Sequence, residues 1–261
     1  MLGFRNCFGK GVLAVSLGVL PILGVHAQSG DTDSTSKPSP ATLEPYGEQR
    51  SGLWMPVYGG GRPFFNVDEI VFKPWAQGLF ESRQEHDLEP HARCKASGAI
   101  RQFLTPYGVE IVEIEELERL YIFDIGGPHT FREVFMDGRG HPADIPPTYY
   151  GHNIGWWEGD TLVVDSVGYN EGFWFERMGL PHTEAVHVTE YFKRVDAETI
   201  EYTFVMDDAT AYEVPLEGRM TLSWREGDEL FEFVCQQANY AVELMINPEN
   251  PSAARTSPIV P

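Results

Sequence analysis

Residues 109–236 run through a series of short segments rich in Val, Ile, Phe, Tyr and Thr, each bounded by Gly, Pro, Asn or Asp, with no helix-length periodic stretch between them. The segments are 109–115, 120–125, 130–136, 152–157, 161–167, 185–194, 199–206, 220–224 and 230–236. Several alternate with period two: in "TIEYTFVM", Ile200, Tyr202, Phe204 and Met206 share one face. Consecutive short strands joined by turns pair most economically as sequential neighbours. The pattern therefore predicts an all-β fold, an antiparallel up-and-down barrel or half-barrel (lipocalin- or calycin-like) of about 8–9 strands. Ahead of it, Trp75, Leu79 and Phe80 have helical spacing, which predicts a short N-terminal helix over 73–87.

The first residues read as a secretory signal peptide, 1–27: Arg5 and Lys10 in a basic front part, an apolar centre over 12–25, and Val25-His26-Ala27 as a small-residue cleavage signal. The apolar run is short and broken by Pro21, so it predicts export with cleavage near Ala27 and no membrane insertion. The expected location is periplasmic or secreted. Residues 28–63, with "SGDTDSTSKPSPAT" and "YGGGRP", hold few apolar side chains and read as a flexible leader and arm, leaving 64–261 as a single barrel domain. Cleavage removes Cys7 and leaves Cys94 and Cys235, an even pair in an oxidising compartment, expected to be bridged rather than two buried free thiols. The 39 acidic against 19 basic residues, a formal charge of −20, make nucleic acid and anionic membranes poor partners; a small molecule is the expected one.

In a meander, loop length reports which end of the barrel a connection occupies. The tight turns 158–160, 195–198 and 225–229 fall at one end, and the long connections 137–151, 168–184 and 207–219 at the other, the expected mouth. The repeated Pro-His-Thr (residues 128–130 and 181–183) then lies at opposite ends, and His129 becomes a turn residue without chemistry. The mouth gathers His141, His152 and His182 with Asp165 and Asp207, Arg139, and the aromatic residues Tyr150, Trp156 and Trp174, the makings of a pocket for an apolar, aromatic or sugar-like molecule. The expected roles are His182 as general base and His152 as partner acid. Asp165 or Asp207 would orient an imidazole, and Arg139 would face developing negative charge. Asp137 and Asp208 read more simply as turn caps.

Glu190 alternates with the apolar face of "VHVTEYF". It points inward either as a general acid with a raised pKa or as the partner of an inward arginine such as Arg132. His187 takes the opposite face and reads as a surface residue. The acid–base reading needs no cofactor. A divalent metal at His141, His152 and His182, with Asp207, is a minority alternative, since three imidazoles with an open position suit zinc or iron. No nucleophile elbow, phosphate loop, dinucleotide fingerprint or His-Glu-x-x-His motif occurs.

The run from "MDGRGHP" through "GHNIGWWEGDTLVVDS", "PHT" and "VMDDAT" resembles a large, mostly uncharacterised family of secreted bacterial proteins. Its members carry MDGRxHP, GHSIGxWEGDTLVVDT, PHT or PHS, TxDDP and a late cysteine. The chain departs from that pattern at Asn153, where the family has Ser, and at Ala209, where it has Pro. The resemblance implies secretion and a shared fold and carries no mechanism.

Two functions follow from the residues: an acid–base enzyme (lyase, isomerase or hydrolase) working in the barrel mouth, and a lipocalin-like carrier of a small hydrophobic ligand. A structural or envelope-interaction module is a third. Barrels host both of the first two, and the density of ionisable groups favours the enzyme.

Overall fold

The computed structural model describes residues 52–57, 69–86, 89–126 and 130–235. The proposed signal peptide, most of the leader and His129 lie outside the described residues. The elements are β1 (Gly52–Pro56), α1 (Pro74–His86), α2 (Ala99–Gln102), β2 (Glu110–Ile114), β3 (Arg119–Phe123), β4 (Phe131–Phe135), β5 (His152–Glu158), β6 (Thr161–Val167), β7 (His187–Asp196), β8 (Thr199–Asp207) and β9 (Leu216–Glu226).

The strands form one nine-stranded sheet in the order β1-β9-β8-β7-β6-β5-β4-β3-β2. Its two edges meet where Trp54 and Val109 exchange both backbone hydrogen bonds, at 2.9 and 3.0 Å, so the sheet is a nearly closed, mostly antiparallel barrel. Among the described residues no helix is long and apolar enough to cross a membrane.

Three features differ from the sequence reading. The arm supplies a strand: in "GLWMP", Leu53 and Trp54 are buried and β1 pairs with β9 from Gly52↔Glu226 to Pro56↔Leu222, although Gly and Pro around it dilute its apolar signal. Residues 230–235 form no strand. The barrel is also not a pure meander, because β4 runs parallel to β5, with Val134 level with Asn153 and Phe135 with Ile154. A parallel neighbour needs a return connection, and residues 136–151 provide it. The strand that follows His129 therefore starts at the long-loop end, and the argument placing the two Pro-His-Thr motifs at opposite ends fails on this pairing.

Inward positions follow the pleat. Ile200, Tyr202, Phe204 and Met206 of β8 are all buried, as are Val188, Glu190, Phe192 and Arg194 of β7. α2 and Phe103 pack onto this inner face, with the Phe103 ring centroid 5.4 Å from Phe192 and 4.8 Å from Tyr202. The inner face thus meets the chain's own aromatic side chains, each worth about 1.5–3 kcal/mol when removed from water.

A polar thread crosses this apolar interior from β4 to β8. Arg132, fully buried, forms a two-pronged ion pair with Glu190, donating from Nη1 to Oε1 at 3.1 Å and from Nη2 to Oε2. It also donates from Nε to Asn153 Oδ1 (2.8 Å) and from Nη2 to Ser166 Oγ (2.9 Å), while Tyr202 donates to Glu190 (2.7 Å). Burial works against the guanidinium charge, and the Glu190 carboxylate more than restores it. Glu190 is therefore the structural ion-pair partner, and no solvent-facing general acid.

Cys94 and Cys235 form a disulfide with their Cα atoms 5.7 Å apart, 141 residues apart in sequence. Closing so long a loop stabilises the fold by up to about 5 kcal/mol in the chain-entropy account.

Candidate functional site

The outward faces of β5, β6 and β7 carry a chain of hydrogen-bonded side chains. His152 Nδ1 lies 2.8 Å from His141 Nδ1, His141 Nε2 lies 2.8 Å from Asp165 Oδ1, and His187 Nε2 lies 2.6 Å from Asp165 Oδ2. The pleat explains the face: Leu162, Val164 and Ser166 of β6 point inward, so Asp165 points outward, level with Ile154 of β5 and Thr189 of β7. His141 reaches this face from the crossover between β4 and β5. The crossover is pinned where Thr148 N donates to Gly168 O (3.0 Å) and Asn170 N donates to Thr148 O (2.8 Å). Gly151, at φ +66°, turns the chain into His152; a Cβ there would lie 2.6 Å from the Val167 carbonyl oxygen.

The hydrogen bonds set the tautomers. An ionised Asp165 only accepts, so both His141 and His187 donate to it from Nε2. His141 Nδ1 then meets His152 Nδ1 across a single proton. With His152 as the donor of that bond, His152 Nε2 stands at the end of the chain as a free acceptor. Burial, seconded by His141 and Arg139, lowers the His152 pKa and keeps the ring neutral. Burial alone would raise Asp165; the hydrogen bonds from His187 and His141 outweigh it and hold the carboxyl below its usual range. The bond to Asp165 raises His187.

His152 lines a cleft of about 430 Å³ with Thr130, Phe131, Glu133, Phe135, Tyr149 and Tyr150. Its ring stacks on Phe135, with centroids 5.0 Å apart and planes 19° apart. The guanidinium groups of Arg139 and Arg119 lie over the same phenyl ring at 4.1 and 4.4 Å. The walls are mostly apolar with a few polar groups, as small-molecule sites are.

The structure gathers His141, His152, Asp165 and Tyr150 at or beside this cleft, on the outside of the sheet rather than in a barrel mouth. His187 is exposed on the outer face, as expected, and also joins the chain through Asp165. Arg139 is committed to Asp137, with Nε to Oδ1 at 2.8 Å and Nη2 to Oδ2 at 2.5 Å, so its charge is already paired. Asp207 stands opposite His187 in register at the strand ends and orients no imidazole by hydrogen bond. Trp156 is exposed and donates to Glu158, and Trp174 is buried under Arg83; neither is among the side chains lining the cleft.

His182 corrects the sequence reading most. It is buried, its Nε2 donates to the Asn170 carbonyl at 2.9 Å, and its ring sits 4.8 and 4.7 Å from Phe173 and Phe175. Burial lowers its pKa to about 4, so it serves as a neutral core group. The residue after it, Thr183, is anchored by Asp208, which accepts from Thr183 N at 2.6 Å and caps its own turn through Thr210 N and Ala211 N. With His182 held inside, the three-histidine metal grouping is not assembled, and among the described residues no cluster of three or more His, Cys, Asp or Glu is arranged around a metal position.

A second group went unread in the sequence. Asp124, at the end of β3, is buried and accepts from Gly126 N (3.0 Å) and from Tyr150 Oη (3.2 Å); Tyr150 Oη lies 2.7 Å from Thr130 Oγ1. An aspartate inside an otherwise apolar strand end, "YIFDIGG", was the available signal. Comparison of the chain with protein-family models, with curated proteins and with solved structures finds no match to any of them.

Proposed function

We propose that the chain is an acid–base enzyme that moves a proton on a small apolar or aromatic molecule held in the cleft beside β4 and β5, in the manner of an isomerase, lyase or hydrolase. The observation that carries this reading is the His152–His141–Asp165 chain of hydrogen bonds, which backs an imidazole of the cleft lining with a carboxylate. His152 Nε2 accepts the substrate proton, and the positive charge that develops is spread through His141 toward the Asp165 carboxylate. A positioned base of this kind contributes about a hundredfold to ten-thousandfold in rate. The apolar walls, Phe131, Phe135 and Tyr149, suit an aromatic or alicyclic body.

A lipocalin-like carrier is the second reading. It is disfavoured because the inner face of β7 and β8 is covered by α2 and Phe103, where a carrier of that type would hold its ligand. Export to the periplasm or medium belongs to the same proposal and is supported by the Cys94–Cys235 bridge, since disulfides persist in oxidising compartments.

The test is solvent-deuterium exchange followed by proton NMR, with a panel of small aryl and cyclic ketones in heavy water as probes. Wild-type protein should accelerate exchange of an acidic C–H in at least one member of the panel, and His152→Gln should reduce that acceleration by about a hundredfold or more. Equal rates with wild type and His152→Gln would remove the proposal.

A further inference from the structure

The cleft has a second polar group with chemistry of its own. Thr130 and Tyr150 line the cleft together with the base, and Tyr150 Oη leads on to the Asp124 carboxyl. Asp124 is about 1% exposed and sits away from any guanidinium pair, with the Gly126 amide, the Tyr150 hydroxyl, Ser97 and the more distant charge of Arg101 as its polar surroundings. The nearby Arg101 is itself taken up by Glu89, at 2.7 Å. Glu133, the one carboxylate on the cleft wall, is bonded by Tyr121 and paired with Arg119, at 3.2 and 3.3 Å. Arg119 and Arg139, which lie over Phe135, are paired with Glu133 and Asp137, so the Tyr150 hydroxyl, joined to a buried carboxyl, is a donor that the cleft offers to an anion.

We propose that Tyr150, backed by the buried carboxyl of Asp124, is the second catalytic group of the cleft and receives the oxygen of a carbonyl substrate while His152 takes the neighbouring C–H proton. This rests on the acid–base reading above and names its substrate class: a small apolar aldehyde or ketone with an acidic α-hydrogen. The C–H bond breaks and its proton goes to His152 Nε2. The electron pair becomes the enolate C=C, and the carbonyl oxygen gains the hydrogen bond, or the proton, of Tyr150 Oη, with Asp124 replacing what Tyr150 gives. Return of the proton from His152 to the same carbon gives exchange or epimerisation, and return to the γ-carbon of a β,γ-unsaturated substrate shifts its double bond; Tyr150 keeps or recovers its own proton as the C=O re-forms, and no oxidant or reductant is consumed.

Asp124 acts through Tyr150 and is a positioning residue. When its carboxyl is ionised, Tyr150 donates inward to it. When it is protonated, it can donate to Tyr150 Oη, and the phenolic proton is released toward the cleft. Burial, opposed by the hydrogen bonds of Tyr150, Gly126 and Ser97, pushes the Asp124 pKa up to about 7, so this reversal falls in the neutral range. A neutral carboxylic acid and a tyrosine in an apolar site make a strong pair for an oxyanion.

The experiment is an absorbance titration with 2,6-difluoro-4-nitrophenol, whose oxygen is already ionised in weak acid and stands in for the enolate. Wild type should bind it, and Tyr150→Phe should weaken binding about tenfold to a hundredfold, the loss of one hydrogen bond to a charged group. Wild-type affinity should fall as pH rises through about 7. Asp124→Asn, which cannot ionise, should keep the low-pH affinity and flatten the pH profile. Equal binding by wild type and Tyr150→Phe, no binding by wild type, or an unchanged pH profile in Asp124→Asn would overturn the proposal. The readout is independent of the base: phenolate held through Tyr150 without C–H exchange would condemn the assignment of His152 alone, and exchange through His152 with Tyr150→Phe binding normally would condemn this inference alone.

Discussion

His141 and His187 share one carboxylate: their Nε2 atoms lie 2.8 and 2.6 Å from the two oxygens of Asp165. One comes from the crossover behind β4 and the other from the start of β7, so Asp165 fastens the crossover to the sheet as well as orienting the imidazole that serves His152. The arrangement lets a single aspartate orient both rings and raise the pKa of His187.

Replacing Asp165 by Asn should therefore lower the His187 pKa toward its ordinary value of about 6.5. Because the folded-state value of His187 is raised, its contribution to stability is complete below the unfolded value and is lost as pH rises through the folded one. Asp165 is depressed, so its contribution is present above the unfolded value and is lost as pH falls through the folded one. The pair works over the interval between. A histidine titration by NMR checks this, and an unmoved His187 in Asp165→Asn would show that the hydrogen bond does not set it.

Glu190→Ala should cost about 3–5 kcal/mol in chemical denaturation, because it leaves the Arg132 guanidinium buried without its counter-charge. Replacing both, Arg132→Met with Glu190→Leu, should cost clearly less than the sum of the single changes. Additive single effects would mean that the two charges are not coupled across the interior.

Acid should unfold the protein partly through His182. Its folded-state pKa is depressed to about 4 by burial, so the unfolded chain binds the extra proton between about 6.5 and 4, and stability falls as pH drops across that window. The penalty reaches about 3 kcal/mol at the lower end. His182→Phe, which suits the Phe173 and Phe175 surroundings, should flatten this part of the stability–pH curve; the same slope in both proteins would assign the acid sensitivity elsewhere.

Much of the barrel was legible because its signals are local. The alternation in "TIEYTFVM" puts Ile200, Tyr202, Phe204 and Met206 inside, the turn residues at 158–160 and 195–198 mark true hairpins, and the pleat turns Glu190 inward while leaving open whether it is a general acid or the partner of an arginine. The parallel pairing of β4 with β5 was not legible, since the side-chain pattern of a strand is the same in either direction. That one pairing moved the site: the loop carrying His141 folds back over the outer face instead of rising into a mouth. A histidine in a long loop reads as exposed in sequence, and the enclosure of His182 by Phe173 and Phe175 of the same loop exists only in the fold. His187 is the outward, exposed residue that alternation predicts, and its bond to Asp165 lies beyond what alternation can show. Asp124 and Tyr150 come together from separate elements, and no spacing announces such a contact.

In the proposed function the hydrogen-bond chain leaves His152 Nε2 as the free acceptor of the cleft. The most direct measurement is the nitrogen-15 NMR spectrum of histidine-labelled protein near neutral pH, with His152 and His141 assigned by substitution. His152 should be neutral and protonated at Nδ1, with His141 protonated at Nε2 toward Asp165. A His152 ring protonated at Nε2, or doubly protonated at neutral pH, would contradict it.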